Sequence, residues 1–168
     1  IPEDPDRAVR FVQQLSRVYR YILDIRDKKL IPLSEELDFL DSYMWLLKER
    51  FEENLQFNIN ISNDHLSRQV VPLSLQMLIE NAIKHNIIST RQPLSIEIYV
   101  ENDQRLVVQN NLQKKNQEMN STKFGLENIK NRYAFFSNQS VDVIVSTTSF
   151  IVSLPLLKIG KPIIEKVN

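Results

Sequence analysis

The segment from residue 71 to residue 86 constrains the fold of this chain more than any other stretch. Pro72 and Ser74 are typical of the start of a helix. The apolar residues that follow have the three- and four-residue spacing of one helix face: Leu75, Leu78, Ile79, Ala82 and Ile83. The opposite side, here called the polar arc, consists of Glu80, Asn81, Lys84 and His85. The spacing predicts a helix with one side in a core and the polar arc at its boundary.

Two interpretations of the polar arc stay open. An ordinary core helix with a hydrated outer face satisfies the same spacing. Alternatively, a carboxylate, an amide, an amine and an imidazole on neighbouring turns can meet a metal ion and phosphates. Mg²⁺ in particular prefers oxygen ligands and commonly takes one or two protein groups beside phosphate oxygens.

The composition excludes several classes of protein. With 168 residues, 42% of them apolar, the chain can form one domain with a hydrophobic core. Its net charge of zero argues against a general nucleic-acid binder. The only glycines are Gly125 and Gly160, so neither a P-loop nor a Rossmann phosphate loop can form. Cysteine is absent, which excludes disulfides and thiolate zinc sites, and two histidines are too few for a histidine metal cluster.

Two helices are predicted at the start of the chain. Asp4 caps the first, and Lys28 and Lys29 end it with positive charge. Ser34 caps the second. The apolar stripe of the first helix is longer than one small domain needs. Packing within the chain and contact of part of the stripe with a second chain both remain open.

Alternating apolar residues predict the strands, at 55–61, 94–101 and 105–108 and in a hairpin over 141–154. The loop before the central helix leaves His65 at the surface. A polar stretch at 112–122 is predicted to be a mobile lid, and a last helix follows it. Without a strand–helix repeat, this order indicates an α+β fold with an antiparallel-rich sheet and helices on one face.

Four segments carry a resemblance to a known family. Residues 80–86, Glu-Asn-Ala-Ile-Lys-His-Asn, resemble the N box of the GHKL ATPases, in the form found in LytS-type sensor histidine kinases. Residues 124–133 resemble the second glycine box of that family and its helix. Residues 15–21 resemble the second dimerisation helix, and residues 32–37 the beginning of the ATPase domain. The fold that this implies is a two-layer α/β sandwich of the GHKL, or Bergerat, type, with a mixed, mostly antiparallel sheet.

The resemblance implies a function and a set of site residues. The chain is expected to be the ATP-binding catalytic domain of a histidine kinase, with ATP and Mg²⁺ as cofactors. Asn81 is expected to ligate Mg²⁺ and Glu80 to orient the reacting groups. The remaining candidates are expected to bind nucleotide: Lys84, His85, Asn110, Thr122, Lys123 and Gly125. Among them Asn110 would read adenine, and the others would contact or close over the phosphates.

The same resemblance implies domain boundaries, partners and a location. Residues 1–30 are expected to be a remnant of the dimerisation region, residues 31–158 the ATP-binding domain and residues 159–168 a tail. The expected partners are a second copy through the N-terminal helices and a response regulator, without direct nucleic-acid binding. No membrane span or signal peptide is visible. The chain is expected to be the cytoplasmic fragment of a parent anchored in the bacterial inner membrane.

Three departures from the family pattern motivate an alternative. The phosphoacceptor histidine segment is absent, so the chain alone is expected not to phosphorylate itself. Asn110 stands where the family has an aspartate, and its neighbouring glycines are missing. Lys123 replaces a glycine, while Gly125 is expected to keep the turn into the last helix. The alternative is a degenerate signalling module of the same fold that binds nucleotide weakly or not at all.

Overall fold

Four helices and a five-stranded sheet make up the computed structural model, which describes residues 4–115 and 122–158. The helices are α1 (Pro5–Asp24), α2 (Leu33–Phe51), α3 (Ser74–His85) and α4 (Thr122–Ala134). The strands are β1 (Ile31–Pro32), β2 (Leu55–Asn60), β3 (Gln69–Val70), β4 (Leu94–Glu101), β5 (Arg105–Asn111), β6 (Asp142–Val145) and β7 (Ser149–Pro155). Short 3-10 turns occupy Glu52–Asn54 and Asn63–His65. No helix in the described ranges has the length and apolarity to cross a membrane.

The main sheet has the strand order β2-β4-β5-β7-β6. The pair β2–β4 is parallel, and every other neighbouring pair of this sheet is antiparallel. This confirms the predicted α+β class with a mixed, mostly antiparallel sheet. The two-residue strands β1 and β3 form a separate antiparallel pair, which was not predicted because two residues are too short for an alternation pattern.

Alternate residues of the sheet face the helices and form the core. On β4 these are Leu94, Ile96 and Ile98, each fully buried. They belong to one apolar cluster with Ile79 of α3 and Ile129 of α4. Because side chains alternate across a strand, the intervening polar residues lie on the opposite face. The core therefore lies between the sheet and one layer of helices.

Helix α1 packs along α2 as an antiparallel hairpin. Asp4 Oδ1 accepts the backbone N–H of Arg7 at 3.0 Å, which confirms the predicted cap. Arg7 pairs with Glu49 at the far end of α2, and Tyr21 stacks on Phe39 near its start. Only part of the predicted apolar stripe is buried by this packing. The exposed large apolar residues of α1 are Val9, Phe11, Val12, Leu15, Tyr19 and Leu23.

Two predicted helix ends are wrong. Helix α2 begins at Leu33 and has no side-chain cap, so Ser34 does not cap it. The backbone carbonyls of Arg68 and Leu66 instead accept the N–H groups of Leu33 and Ser34, at 2.7 and 3.0 Å. These carbonyls come from a distant segment that local sequence does not reveal. Helix α1 ends at Asp24, before Lys28 and Lys29, and its last turn holds no basic residue.

The exposed position predicted for His65 is also wrong. Its side chain is 14% exposed, and its Nε2 lies 2.8 Å from Asp103 Oδ1. Asp103 belongs to the tight turn between β4 and β5, where Asn102 and Asp103 have φ values of 52° and 57°. Such positive φ values are typical of a type I′ hairpin turn. The strands predicted at 94–101 and 105–108 leave a short connection here, but its contact with the loop before α3 was not predicted.

Candidate functional site

Helix α3 presents the polar arc because its other side is fixed in the core. Leu75, Leu78, Ile79 and Ala82 are at most 3% exposed. This packing sets the rotation of the helix and leaves Glu80 and Lys84 exposed, with Asn81 and His85 half-buried. Asn81 lies about 100° around the helix from Glu80, since each residue advances an α-helix by that angle.

Two neighbours hold the side chain of Glu80. Tyr43 of α2 donates its hydroxyl to Glu80 Oε1 at 3.1 Å. Gln76, one turn earlier on α3, donates its amide to the same oxygen at 2.9 Å. Burial, the charge of Glu80 and this hydrogen bond all raise the pKa of Tyr43, so its hydroxyl remains a donor. Tyr43 of α2 therefore lies against the polar arc.

A cleft of about 500 Å³ opens beside α3, between that helix and the end of α2. Its charged lining residues are Arg50, Lys84, Lys115 and Glu80. Its other lining residues are Tyr43, Leu47, Phe51, Ile83, Asn86 and Ile88. Three cations against one carboxylate favour an anionic ligand. The aromatic and aliphatic residues offer a surface for an apolar or planar group.

The polar arc divides between this cleft and its border. Glu80 and Lys84 line the cleft, whereas Asn81 and His85 are not among its lining residues. Burial, followed by the charges of Lys84 and Lys115, lowers the pKa of His85. The imidazole of His85 is therefore neutral at physiological pH.

Residues 112–115 are fixed against the end of α3. Gln113 N–H donates to Asn86 Oδ1 at 2.7 Å, and the Gln113 carbonyl accepts Ile87 N–H at 2.8 Å. The N–H of Lys115 donates to the His85 carbonyl at 3.2 Å. The lid predicted at 112–122 is therefore wrong for its first four residues. Residues 116–121 of that prediction lie outside the described ranges.

The amides at the end of β5 have different partners. Asn111 is structural, because its Oδ1 accepts Ser95 N–H at 2.8 Å and its Nδ2 donates to the Pro93 carbonyl at 3.1 Å. Asn110 is 3% exposed and donates its Nδ2 to the Asn111 carbonyl at 2.8 Å. It alternates with the core residues Leu106 and Val108, so it lies on the helix-facing side of the sheet.

The candidates near residue 122 belong to the first turns of α4. Thr122 and Lys123 start this helix, and their side chains lie outside the described part of the structure. Gly125 lies within the helix rather than in a turn before it, so the predicted turn at Gly125 is wrong. An added Cβ at Gly125 would meet no atom within 4 Å, so close packing does not require glycine there. The helix starts at Thr122, before the glycine rather than after it.

Sequence reasoning missed Glu36, which is 1% exposed on α2. Its carboxylate accepts the backbone N–H groups of Leu73 and Leu75, each at 3.0 Å. Burial raises the pKa of Glu36 to about 7, although these two hydrogen bonds act to lower it. The sequence did contain one signal. Leu73 directly precedes α3, and because a leucine side chain cannot cap a helix, the cap has to come from another part of the chain.

The residues present fit a magnesium nucleotide better than a metal ion held by protein alone. In residues 4–115 and 122–158, no group of three or more His, Asp or Glu is placed to hold a metal. Mg²⁺ with phosphate needs only one or two protein oxygens, which the polar arc contains. The cations of the cleft match the remaining phosphate charge.

Comparisons with known proteins identify related chains. The family model described as histidine kinase matches residues 1–55. The sensor protein LytS of Oceanobacillus iheyensis is 32% identical over 84 residues, which are 50% of this chain and 14% of that protein. The sensor histidine kinase BtsS of Escherichia coli is 35% identical over 85 residues, 51% of this chain and 15% of that protein. The chain therefore matches only a small part of these relatives.

Solved structures show the same fold. The cytoplasmic segment of the histidine kinase QseC aligns with a TM-score of 0.54 at 17% identity, covering 94% of this chain and 97% of that one. The histidine kinase domain of the blue-light activated kinase EL346 from Erythrobacter litoralis gives a TM-score of 0.52 at 17% identity, covering 90% and 79%. The chain is related in sequence to sensor histidine kinases of the LytS type over about half of its length, and it shares the fold of histidine kinase domains.

Proposed function

We propose that this chain is the ATP-binding catalytic part of a sensor histidine kinase. The observation that carries the proposal is the cationic cleft beside the polar arc, on a fold shared with histidine kinase domains. Bound ATP would supply the phosphoryl group, which passes to a histidine outside this chain and then to an aspartate of a response regulator. Phosphoryl transfer depends mainly on positioning and charge neutralisation, and the cleft residues offer both.

Within this proposal, α3 holds the metal and the phosphates. Asn81 ligates Mg²⁺ through its amide oxygen, and Lys84 binds phosphate. Glu80, held by its hydrogen bond from Tyr43, orients the reacting groups. His85 is neutral and donates or accepts a hydrogen bond rather than adding charge.

Two further residues of the cleft, Arg50 and Lys115, are proposed to bind phosphate together with Lys84. Arg50 comes from the last turn of α2, and Lys115 from the segment fixed against the end of α3. Both line the same cleft as Lys84. Each adds a positive charge where a triphosphate would lie, and guanidinium groups bind phosphate with two parallel hydrogen bonds.

The other candidates are proposed to contact the adenine and to close over the phosphates. Asn110 lies on the helix-facing side of β5 and would read the adenine amino group through its amide oxygen. Thr122, Lys123 and Gly125, at the start of α4, would close over the phosphates. Backbone N–H groups at the start of a helix favour anions, which supports this placement.

We propose a different role for each part of the chain. Residues 31–158 form the ATP-binding unit, and residues 1–30 belong to a dimerisation region. The exposed apolar stripe of α1 supports a homodimer through this helix, because large apolar side chains are rarely left in water as a group. A response regulator is the second partner, and the domain acts in the cytoplasm of a membrane-anchored parent. Residues 159–168, the proposed tail, lie outside the described ranges.

A specific observation favours the second candidate, a degenerate module that binds nucleotide weakly or not at all. Asn110 uses its amide on the neighbouring carbonyl, and its oxygen lacks the charge of the family's aspartate. Charge-assisted hydrogen bonds contribute roughly 1.5–3 kcal/mol against about 1 for neutral ones, so adenine is held less tightly. The difference corresponds to several-fold weaker binding.

Titration with Mg²⁺ and a non-hydrolysable ATP analogue separates the two candidates. Isothermal calorimetry on the wild-type chain should show saturable binding that requires Mg²⁺. Asn81→Ala should abolish the Mg²⁺-dependent part. Asn58→Ala is the matched control, because Asn58 is exposed on β2 and far along the chain from the polar arc. A wild-type chain that binds no nucleotide supports the degenerate module, and normal binding by Asn81→Ala removes Asn81 from the metal site.

A further inference from the structure

Helix α3 begins without a cap of its own. Leu73, the residue before its first turn, has a left-handed backbone with φ 63° and offers no side-chain hydrogen bond. The first N–H groups of any helix lack partners within the helix. Here the buried carboxylate of Glu36 accepts the N–H groups of Leu73 and Leu75, one on each oxygen. The cap of α3 is therefore supplied by α2.

A second contact joins the same two helices further along. Tyr43 is seven residues after Glu36, so both side chains lie on one side of α2. Tyr43 donates to Glu80 in the middle of α3. Thus α2 contacts α3 both at its first turn and at the polar arc.

Aromatic contacts connect α2 to α1. Phe39 stacks on Tyr21 of α1 with ring centroids 4.5 Å apart, and on Tyr43 at 6.2 Å. The rings of Phe11 on α1 and Trp45 on α2 also pack together, with their centroids 6.5 Å apart. Closely packed aromatic rings hinder α1 and α2 from sliding past each other, because close packing leaves few alternative arrangements of the side chains. Helix α2 consequently lies between α1 and the helix that carries the candidate site.

We infer that Glu36 is a positioning residue, whose carboxylate on α2 holds the first turn of α3 and so couples the orientation of the polar arc to the packing of α2 against α1. The contact itself is independent of any activity. Its effect on nucleotide binding rests on the proposed function.

The charges around Glu36 make this coupling dependent on pH. Besides the two N–H groups, the groups that act on Glu36 are Glu35 on α2 and Arg132 on α4, and Tyr21 and Tyr133 experience its charge. Burial raises the pKa of Glu36 to about 7. Above that pH the carboxylate is ionised and accepts both N–H groups through charge-assisted hydrogen bonds. Because burial outweighs these bonds in raising the pKa, exposing Glu36 to water costs most when the carboxyl is protonated, so the contact weakens as pH rises through 7.

Amide hydrogen exchange tests the contact without nucleotide. In Glu36→Gln at pH 8, protection of the Leu75 amide should fall about tenfold, as expected when a charge-assisted bond is lost. Glu35→Gln is the matched control, since Glu35 lies on the same turn but pairs with Lys28 instead. In the wild type, protection of Leu75 should increase from pH 8 to pH 6, relative to the Ile79 amide, because protonation of Glu36 favours the buried contact. This wild-type profile decides the question even if Glu36→Gln does not fold.

Nucleotide affinity tests the consequence. At pH 8, Glu36→Gln should bind the Mg²⁺-ATP analogue more weakly than Glu35→Gln, and lowering the pH to 6 should strengthen binding in the wild type relative to Glu36→Gln. Unchanged Leu75 protection refutes the cap. Reduced protection with unchanged affinity refutes the coupling. A wild-type chain that binds no nucleotide contradicts the proposed function instead, while the exchange data still decide whether Glu36 holds α3.

Discussion

Replacing Glu36 by glutamine should flatten the pH dependence of stability between pH 5 and pH 8. The folded-state pKa of Glu36 is about 7, against an ordinary value of 4.5. At a pH between these two values, Glu36 is protonated in the folded protein and ionised in the unfolded chain. The stability due to this proton is complete below pH 4.5 and is lost as pH rises through 7. Linkage then gives a loss of roughly 2–3 kcal/mol from pH 5 to pH 8.

Urea unfolding followed by circular dichroism measures this loss directly. The free energy of unfolding of the wild type should fall with pH relative to Glu36→Gln, because glutamine has no proton to release. Comparing the two proteins at each pH cancels the contributions of every titratable group that they share. Parallel curves for the two proteins would refute the reasoning, since they would mean that Glu36 titrates as it does in the unfolded chain.

Three further variants test other parts of the molecule. Ile79→Ala removes a fully buried side chain between α3 and the sheet, and it should cost about 2–5 kcal/mol in urea unfolding. Arg68→Ala removes hydrogen bonds to the carbonyls of Asp103, Leu156 and Leu157, and we expect a loss of about 1–3 kcal/mol; no loss would mean that the end of β7 is held by backbone pairing alone. Asn110→Asp should destabilise the free chain by about 1–3 kcal/mol, because a buried carboxylate replaces the amide donor, yet calorimetry should show tighter ATP binding. Weaker or unchanged binding would mean that Asn110 does not read adenine.

Elements with a long periodic pattern were predicted correctly from the sequence. The strand at 94–101 alternates without interruption, and α3 repeats its apolar residues over three turns. Such patterns depend only on residues close in the chain. The fold class and the helix that carries the polar arc follow from them.

Features that depend on distant residues were not predictable in this way. The cap of α3 comes from Glu36, 39 residues before Leu75. Tyr43 has an ordinary apolar-stripe spacing, which conceals its hydrogen bond to Glu80. Gly125 suggested a turn, but glycine also occurs inside a helix when other residues there favour it. The lining of the cleft by Arg50 and Lys115 likewise appears only when α2, α3 and the segment after β5 come together.

The single parallel pair of the main sheet has a consequence for the order of folding. Strands β4 and β5 are joined by only three residues, 102–104, and can pair within microseconds as a local hairpin. Strand β2 cannot reach β4 through a hairpin, because parallel strands need a crossover, and here that crossover contains α3. We therefore expect β2 to join the sheet only when α3 docks on it. The polar arc and the β2 edge should then form, and open, in one cooperative step.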